Sequence, residues 1–446
     1  MKIRQYYLLV ITGLTLLFVA TGCGKKEYDK SIIAKADNYH SAVKKLTDVI
    51  VYDIFSPPVA SRIYAYPSIA AYETLINAHP GYVSLSGQLR DLAATPKPDE
   101  NKTYDFSLAS IHAFLVVGKA LIFSEEKIAD YESNFLARLK KESGMSEQMF
   151  KNSIAYGDQV AQHILDWADK DNYKQTRTFP KYSIQYEDHF WKPTPPDYME
   201  GIEPHWNKIR PFVLDSAEQF TPPFPTEFDL DPSSTFYKEL LEVYEVGKNL
   251  DAEQEEIAKF WDCNPYVSTH SGHTMFATKK ITPGGHWIGI TSIACKQANI
   301  SLMETVAAYT KVSVAMADAF ISCWDEKWRS VLVRPETLIN ELIDQDWTPL
   351  LQTPPFPEYT SGHSVVSGAA SMTLTDIFGD NFAFIDTTEM EYNLPARSFT
   401  SFINAAEEAA ISRLYGGIHY MPAIDNGLDQ GTSLGKFINA RLNFKN

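Results

Sequence analysis

Three short segments near the C-terminal end of the chain carry residue types that bind anions. Residues 327–335 begin with a lysine and have an arginine seven positions later, residues 357–364 contain Ser-Gly-His, and residues 412–419 contain Ser-Arg and a later histidine. Arginine can grip a tetrahedral oxyanion with two parallel hydrogen bonds, and lysine acts as a point charge. The three fixed cations are Lys327, Arg334 and Arg413.

The Ser-Gly-His segment is predicted to open a helix. Unpaired N–H groups and the helix dipole make such a position favourable for an anion. Ser361 adds a hydroxyl, and Gly362 adds a backbone N–H that no side chain covers. His363 and His419 are available for acid–base or ligand chemistry. The three segments together describe a closed cage for a highly charged tetrahedral anion, with one histidine on each side.

Each segment alone has a structural alternative. A Lys–Arg pair at a helix end usually faces solvent, and an isolated Ser-Gly-His is more often a helix cap. The order Lys-x6-Arg-Pro, Ser-Gly-His and Ser-Arg-x5-His, which spans residues 327–419, is more specific. It resembles the superfamily shared by type 2 phosphatidic acid phosphatases, bacterial acid phosphatases and vanadium-dependent haloperoxidases.

Two positions depart from the family pattern. Thr360 stands where the family usually has proline before Ser-Gly-His. The aspartate that phosphatases have four residues after the last histidine is replaced by Ala423. The partner that orients His419 is therefore in doubt, and Asp425 is only a candidate.

The resemblance leaves two catalytic activities open. In the phosphatase branch His419 would attack phosphorus and His363 would protonate the leaving oxygen. In the haloperoxidase branch the cage would hold vanadate (vanadium V) as a Lewis acid, with His419 as the axial ligand of the vanadium. Lys327 would then polarise bound hydrogen peroxide, and His363 would shuttle a proton. The implied vanadate-binding set is Lys327, Arg334, Ser361, Gly362, His363, Arg413 and His419.

Aromatic residues favour the haloperoxidase branch. Trp324 and Phe356 match positions that line the halide side of the haloperoxidase pocket, and the run Ser-Cys-Trp-Asp-Glu-Lys-Trp at 322–328 resembles the haloperoxidase version of this helix end. The resemblance also implies that Tyr266 and Asp325 lie at this pocket. The structural alternative is that these aromatic residues belong to the core.

The chain most resembles exported haloperoxidases of marine flavobacteria, some of which oxidise iodide. Iodide is the easiest of the heavier halides to oxidise, and Phe356, unlike a histidine, adds no basic group to the pocket. We therefore expect a vanadium-dependent iodoperoxidase that uses hydrogen peroxide. A vanadate-inhibited phosphatase and a lipoprotein that binds an oxyanion without turnover remain alternatives.

The elements that position these residues are predicted to be helices. Apolar residues recur at steps of three or four from 301 to 324, which predicts one face of a long helix. We expect an all-α fold of stacked helical bundles, in a single domain over 23–446 with an N-terminal half at 30–234 and a catalytic half at 235–446. Other predicted helices span 37–79 (two, broken at 56–58), 106–123, 124–141, 146–170, 233–247, 251–261, 361–378, 397–414 and 425–441.

A proline-rich segment interrupts these helices. Ten of the 25 prolines lie between Pro180 and Pro232, interleaved with aromatic residues. Prolines at this density exclude regular helix, and the segment is too aromatic for a solvated linker. We expect an ordered wrap that lies across the helices and forms a cleft wall.

The first 22 residues resemble a bacterial lipoprotein signal. Lys2 and Arg4 precede an apolar run over 6–19, and Ala-Thr-Gly-Cys follows, so Cys23 would be lipidated. An ordinary secretory signal is the alternative. Either signal predicts export, and lipidation would anchor the protein in the bacterial cell envelope, in the periplasm or at the outer membrane. No later segment has the ~20 uninterrupted apolar residues that a transmembrane helix needs.

Composition excludes several classes of protein. Lys and Arg total 40 against 56 Asp and Glu, and the net charge of −16 opposes non-specific nucleic-acid binding. Four cysteines in 446 residues exclude a disulfide scaffold, and Cys263, Cys295 and Cys323 are expected to be buried thiols. We expect a monomer whose small-molecule partners are hydrogen peroxide and a halide.

One further cluster resembles a metal site. His270 and His273 flank Ser271-Gly272, with His286 nearby, but a third ligand at zinc spacing is missing. A structural role for these histidines is favoured. The sequence does not decide whether Asp318 and Arg397 support the site or lie on the surface.

Overall fold

The computed structural model describes residues 27–271 and 273–445, without the side chains of His270 and Ser271. The predicted signal segment and Cys23 lie outside the described residues. The described chain is mostly helical, which confirms the predicted all-α class. Its α-helices are α1 (Ala36–Tyr52), α2 (Pro57–Leu75), α3 (Phe106–Ala120), α4 (Glu125–Ser143), α5 (Glu147–Ala168), α6 (Tyr173–Thr176), α7 (Thr235–Lys248), α8 (Ala252–Phe260), α9 (Pro283–Gln297), α10 (Leu302–Ser330), α11 (Pro335–Leu342), α12 (Gly362–Phe378), α13 (Phe402–Tyr415) and α14 (Met421–Arg441).

Helix α10 is the central element of the fold. It begins at a capping box in which the side chains and backbone N–H groups of Ser301 and Glu304 bond reciprocally, and it ends where Val331 adopts a left-handed conformation. The helix packs against α2 on one side and α12 on the other. It is long and apolar enough to cross a membrane, but 94% of its most apolar window is buried inside the protein, which is typical of a core helix.

Two groups of helices lie on either side of α10. Helices α1 to α5 pack on one another around α3, and α12, α13 and α14 form the second group, with α7 and α8 against α13. One buried hydrophobic cluster runs from the first group through α10 into α12 and α13. Burial of these apolar faces is the main force that holds the bundles together.

Helices α12 and α14 approach each other closely because glycines lie along the contact. A Cβ atom on Gly431 would overlap the carbonyl oxygen of Val365, and a Cβ atom on Gly368 would lie 2.8 Å from the carbonyl oxygen of Leu428. Gly427 and Gly435 continue the same contact, one turn before and one turn after Gly431. We call this contact the glycine seam. It sets the position of the first turn of α12 relative to the start of α14.

The proline-rich segment is an ordered wrap, as predicted. Its backbone pairs with the residues after α10, since the Trp191 N–H donates to the Val331 carbonyl at 2.8 Å. Further along, the buried Asp318 carboxylate of α10 accepts the backbone N–H groups of Phe212, Val213 and Leu214 at 2.7 to 3.0 Å. Asp318 is therefore an internal anchor for the wrap rather than a surface residue.

Two small antiparallel hairpins were not predicted. Strand β1 (Tyr266–Ser271) pairs with β2 (Thr274–Lys279), and β3 (Phe384–Asp386) pairs with β4 (Arg397–Phe399). The predicted helix over 397–414 was therefore wrong at its start. Helix α13 begins at Phe402, where Ser401 caps it by accepting the Asn404 N–H.

Helices α9 and α11 were also missed. Helix α9 is buried on nearly all sides and contains Gly284 and Gly285, so its sequence shows little helical periodicity. Helix α11 has only eight residues. It matters for the site because Arg334 is its N-cap residue.

Candidate active site

The three predicted anion-binding segments meet in one place. Lys327 lies in the last turn of α10, Arg334 precedes α11, Arg413 lies in the last turn of α13, and His419 lies in the loop between α13 and α14. Their exposed fractions are 0%, 0%, 2% and 3%, so the cluster is shielded from solvent. The structure brings these four side chains together in one buried cluster, which we call the cation cage.

The hydrogen bonds of His419 fix its tautomer. Its Nδ1 lies 2.8 Å from Glu358 Oε1, and its Nε2 lies 3.1 Å from Arg334 Nη1. A guanidinium can only donate hydrogen bonds, so Nε2 carries the lone pair and Nδ1 carries the proton. Burial and the neighbouring Arg334 lower the pKa of His419 well below its usual value, which keeps the ring neutral. His419 therefore presents a ring nitrogen that can bind a metal.

Glu358 is the partner that orients His419, and sequence reasoning missed it. The same oxygen that accepts from His419 also accepts the backbone N–H of Tyr420 at 2.9 Å. Burial raises the pKa of the Glu358 carboxyl to about 7, although Arg334 and Lys327 favour its charged form. The candidate Asp425 is exposed. Glu358 precedes Ser361 by three residues, and its place within the second segment was the one available signal.

Backbone carbonyls hold the cations of the cage in place. Lys327 Nζ donates to the carbonyls of Pro357 and Glu358 at 2.9 and 3.0 Å. Arg334 Nε donates to Phe356 O at 2.9 Å, and Arg334 Nη1 donates to Ile418 O at 2.8 Å. Arg334 Nη2 is buried and has no hydrogen-bond partner within the described chain.

Burial makes these cations costly in the ligand-free protein. It lowers the pKa of Lys327 to about 7 and the pKa of Arg334 and Arg413 to about 10. Arg413 is held by its own neighbours, since Nη2 donates to the Trp261 carbonyl at 2.7 Å. Glu358 is the carboxylate that contacts the cage, while Glu336 and Asp262 act on Arg334 and Arg413 from a greater distance. An anion placed among the three buried cations would therefore be stabilised.

The first turn of α12 faces the cage. Ser361 is its N-cap residue, and the Ser361 N–H donates to the Ala423 carbonyl at 2.9 Å, across to α14. A Cβ atom on Gly362 would lie 3.6 Å from the Trp324 ring and 4.0 Å from Lys327 Cε, so this position opens toward the cage. His363 Nε2 is buried and lacks a hydrogen-bond partner among the residues described.

A chamber of about 460 Å³ lies above the cage. Gly362, His363, Arg413 and His419 form its floor, and most of the remaining wall is apolar. The Trp324 and Phe356 rings contact each other with centroids 5.0 Å apart, and Lys327 Nζ lies 5.1 Å from the Phe356 centroid. The other wall residues include Tyr266, Ile202 and Met199 of the wrap, Pro354, Pro355 and Phe320.

Comparison with solved structures shows a relative that shares this fold over nearly its whole length. The crystal structure of a bacterial vanadium-dependent iodoperoxidase, described as the first of its kind, is 53% identical with a TM-score of 0.88. The match covers 92% of this chain and 98% of that chain. The chain belongs to the vanadium-dependent haloperoxidases.

More distant haloperoxidases share the fold. The holo and apo structures of a bacterial vanadium-dependent chloroperoxidase are 16% and 15% identical, with TM-scores of 0.67 and 0.64. They cover 87% and 86% of this chain, and 93% and 94% of their own chains. A family model of the second helical-bundle domain of vanadium chloroperoxidase matches residues 340–444. No curated protein matches the chain significantly.

Three of the four predicted halide-pocket residues of this haloperoxidase line the chamber, and the fourth lies outside its wall. Trp324, Phe356 and Tyr266 line the chamber, as the resemblance implied. Asp325 differs from expectation and lies outside the described chamber wall. Its carboxylate accepts a hydrogen bond from Asn207 Nδ2 of the wrap at 2.9 Å, which turns it toward the wrap.

The other residues left open by the sequence have structural partners in the haloperoxidase fold. Arg397 joins Glu408 of α13 to Glu253 and Glu256 of α8 through ion pairs of 2.7 to 3.2 Å. His286 is fully buried in α9 behind the chamber. The hairpin β1–β2 carries His270, whose side chain is outside the described part of the protein.

The residues of the cage fit vanadate. His419 Nε2 is deprotonated and oriented, as a metal ligand must be. The buried Arg334 Nη2 and His363 Nε2 are polar atoms without partners in the described chain, and a tetrahedral oxyanion would supply partners for both.

Proposed function

We propose that the chain oxidises iodide with hydrogen peroxide at a vanadate held in the cation cage. The overall reaction converts iodide, hydrogen peroxide and one proton into hypoiodous acid and water. The observation that carries this proposal is His419, whose Nδ1–H is held by Glu358 while its Nε2 lone pair is presented inside a ring of cations. Family membership and the iodoperoxidase relative support it.

The cage residues would hold vanadate through complementary contacts. His419 Nε2 would bind the vanadium, and Arg334 and Arg413 would neutralise the charge of its oxygens. The hydroxyl of Ser361 and the N–H of Gly362 would add hydrogen bonds at the α12 N-terminus. Bound vanadate would supply a Lewis acid that activates hydrogen peroxide toward attack by the halide.

The remaining residues have roles that follow from their surroundings. Lys327 has two of its three N–H groups bonded to carbonyls, so the third is left to stabilise negative charge at the cage centre. Burial and Arg413 lower the pKa of His363 well below its usual value, so it is neutral and can accept a proton through Nε2.

The chamber wall favours a weakly hydrated halide. Trp324 and Phe356 are 1% and 8% exposed, and both line the chamber. A halide that enters the chamber loses hydrating water, and an apolar wall offers few contacts that compensate for this loss. The cost in free energy is smallest for iodide, because iodide is the most weakly hydrated of the halides considered. This argument supports iodide over chloride.

One assay tests the proposal and separates it from the alternatives. Purified protein is incubated with and without orthovanadate, and peroxide-dependent triiodide formation is measured in parallel with hydrolysis of an aryl phosphate. Vanadate-dependent iodide oxidation supports the proposal. Phosphatase activity that vanadate abolishes supports the phosphatase, and oxyanion binding with neither activity supports a binding protein.

The His419→Ala variant tests the ligand assignment. It removes the ring nitrogen that binds vanadium, so vanadate binding and iodide oxidation should both be abolished. A variant that keeps full iodide oxidation would contradict the role of His419. The same assay with iodide, bromide and chloride measures halide preference.

We also propose export and lipid anchoring through Cys23. The support is the basic start, the apolar run over 6–19 and the Ala-Thr-Gly-Cys sequence. Cys23→Ser should release the protein from the membrane fraction, whereas a secretory signal predicts a released protein for both sequences. The expected monomeric state stays a prediction, which light scattering can test.

A further inference from the structure

A second cluster of ligand-type side chains lies behind the chamber wall. Cys263, His286 and Glu389 come from three separate segments, and their exposed fractions are 1%, 0% and 0%. One ligand atom from each lies within 4.8 Å of the other two. Cys263 also lines the chamber beside Arg413, so the cluster and the cation cage share a wall.

The separations within this cluster match tetrahedral zinc coordination. Cys263 Sγ lies 3.4 Å from His286 Nδ1, and Glu389 Oε1 lies 3.1 Å from the same nitrogen. Tetrahedral geometry at usual zinc bond lengths places a sulfur and a nitrogen ligand about 3.6 Å apart, and a nitrogen and an oxygen ligand about 3.4 Å apart. Both separations from His286 Nδ1 lie within about 0.3 Å of these values.

The outer surroundings of His286 are those of a metal-binding histidine. His286 Nε2 lies 2.8 Å from Asp386 Oδ2, and Asp386 Oδ1 accepts the Thr388 N–H at 2.9 Å. In the neutral ring, donation from Nε2 to this carboxylate leaves the Nδ1 lone pair directed at Cys263 and Glu389. Metal-binding histidines commonly donate their second N–H to a carboxylate in this way.

Glu389 supplies the independent observation. Its two carboxylate oxygens are buried, and neither has a hydrogen-bond partner in the described part of the chain. His286 Nδ1 lies 3.1 Å from its Oε1. A fully buried carboxylate with unsatisfied oxygens is costly unless a cation neutralises it.

We infer that Cys263, His286 and Glu389 bind a divalent transition metal, with zinc as the best match to a thiolate, an imidazole and a carboxylate. The thiolate and the carboxylate balance the two charges of the ion, and His286 remains neutral. The site is separate from the vanadate site, because no residue is shared. The ion would tie the loop after α8 to α9 and to the turn at 388–392, and thereby brace the wall that holds Arg413.

Metal analysis of the untagged protein tests this inference without any assay of halide oxidation. After growth with zinc and dialysis against metal-free buffer, we expect about one zinc ion per chain. Cobalt exchanged into the protein should give the near-ultraviolet charge-transfer band of a thiolate–cobalt bond. His419→Ala should keep the zinc, so failure of the vanadate proposal leaves this result unaffected.

Single substitutions locate the metal. Cys263→Ala should lose the cobalt–thiolate band and lower the zinc content at least about tenfold, and Glu389→Gln should weaken zinc binding. Cys295→Ala is the matched control, because it removes a buried thiol of α9 whose partner is Thr305 and which is not one of the three ligand-type residues. This variant should keep both signals.

A metal-free wild type overturns the inference. If zinc is absent and cobalt gives no thiolate band even in excess, the cluster is instead a charged His286 between Asp386 and Glu389. The wild-type cobalt spectrum decides this even if a variant does not fold. Equal zinc content in Cys263→Ala would also overturn the inference, because the metal would then lie elsewhere.

Discussion

Replacement of Glu358 gives a sharp test of how the cage binds its anion. Glu358 Oε1 accepts two hydrogen bonds, from His419 Nδ1–H at 2.8 Å and from the Tyr420 N–H at 2.9 Å. Glu358→Gln keeps an acceptor oxygen and removes the charge. Glu358→Ala removes both hydrogen bonds and leaves two buried donors without partners.

The expected magnitude follows from the strength of these bonds. A charge-assisted hydrogen bond contributes about 1 to 2 kcal/mol more than a neutral one. Loss of a group that orients a metal-binding histidine weakens metal binding by about 10- to 100-fold. We therefore expect vanadate affinity to fall about tenfold in Glu358→Gln and about 100-fold in Glu358→Ala.

Charge balance alone predicts the opposite change in vanadate affinity, namely an increase. Removing a carboxylate from beside three buried cations makes the cage more positive, which by itself favours an anion. Glu336→Gln is the matched control, because Glu336 is buried two residues from Arg334 and acts on it electrostatically but does not contact His419. Its vanadate affinity should stay the same or rise.

The assay is a titration of vanadate-free protein with orthovanadate, followed by equilibrium dialysis and by recovery of iodide oxidation. Thermal unfolding of the vanadate-free variants checks that each one is folded. Vanadate binding by Glu358→Gln that equals or exceeds that of the wild type would refute the orienting role of Glu358.

Three further predictions concern the seam, a buried histidine and the chamber. Gly431→Ala should lower the free energy of unfolding by about 2 kcal/mol, because the new methyl group meets the backbone of α12. The control Gly118→Ala should leave this free energy nearly unchanged, because its methyl group meets only the flexible Leu46 side chain. Equal effects of the two substitutions in denaturant titrations would contradict the glycine seam. Burial opposes the charge of His112, but its ion pairs with Asp158 and Glu132 raise its pKa to about 9. The free energy of unfolding should therefore exceed that of His112→Gln by its full amount below pH 6.5, and this difference should fall by about 2 kcal/mol as pH rises through 9. A difference that does not depend on pH would show that the ion pairs contribute nothing. Trp324→Phe should raise the iodide KM by about three- to tenfold and change vanadate affinity less than twofold. The reason is that the ring forms chamber wall and donates its hydrogen bond to the Ile202 carbonyl of the wrap, while phenylalanine keeps an aromatic face toward Lys327. The reverse pattern would make Trp324 a packing residue of the cage.

The sequence predicted the convergence of the cage because its residue types have few other uses in that order. Binding of a tetrahedral anion is the one role that accounts for the cations, the Ser-Gly-His turn and the histidines together. The wrap was also predictable, because prolines exclude helix while aromatic residues require burial. Both inferences used local chemistry that does not depend on tertiary detail.

What the sequence missed depends on distant contacts. Glu358 has no spacing signal, since its role arises only when the loop after α13 brings His419 against it. Helix α9 is buried on most sides and therefore lacks an amphipathic pattern. The cluster joins Cys263 and His286, which are 23 positions apart, to Glu389, which lies more than 100 positions further on, so no short motif could reveal it.

The glycine seam restricts substitution near the Ser-Gly-His turn, whereas the chamber wall formed by the wrap can vary. Because α12 and α14 meet backbone to backbone, the glycine seam fixes the Ser-Gly-His turn against the start of α14, so this side of the cation cage needs no rearrangement to accept a ligand. The wrap instead pairs its backbone with residues 331–333 and 355, which lie outside the glycine seam. Substitution of Met199 or Ile202 would therefore change which molecules enter the chamber without moving the cation cage. Access and catalysis can thus be tuned independently.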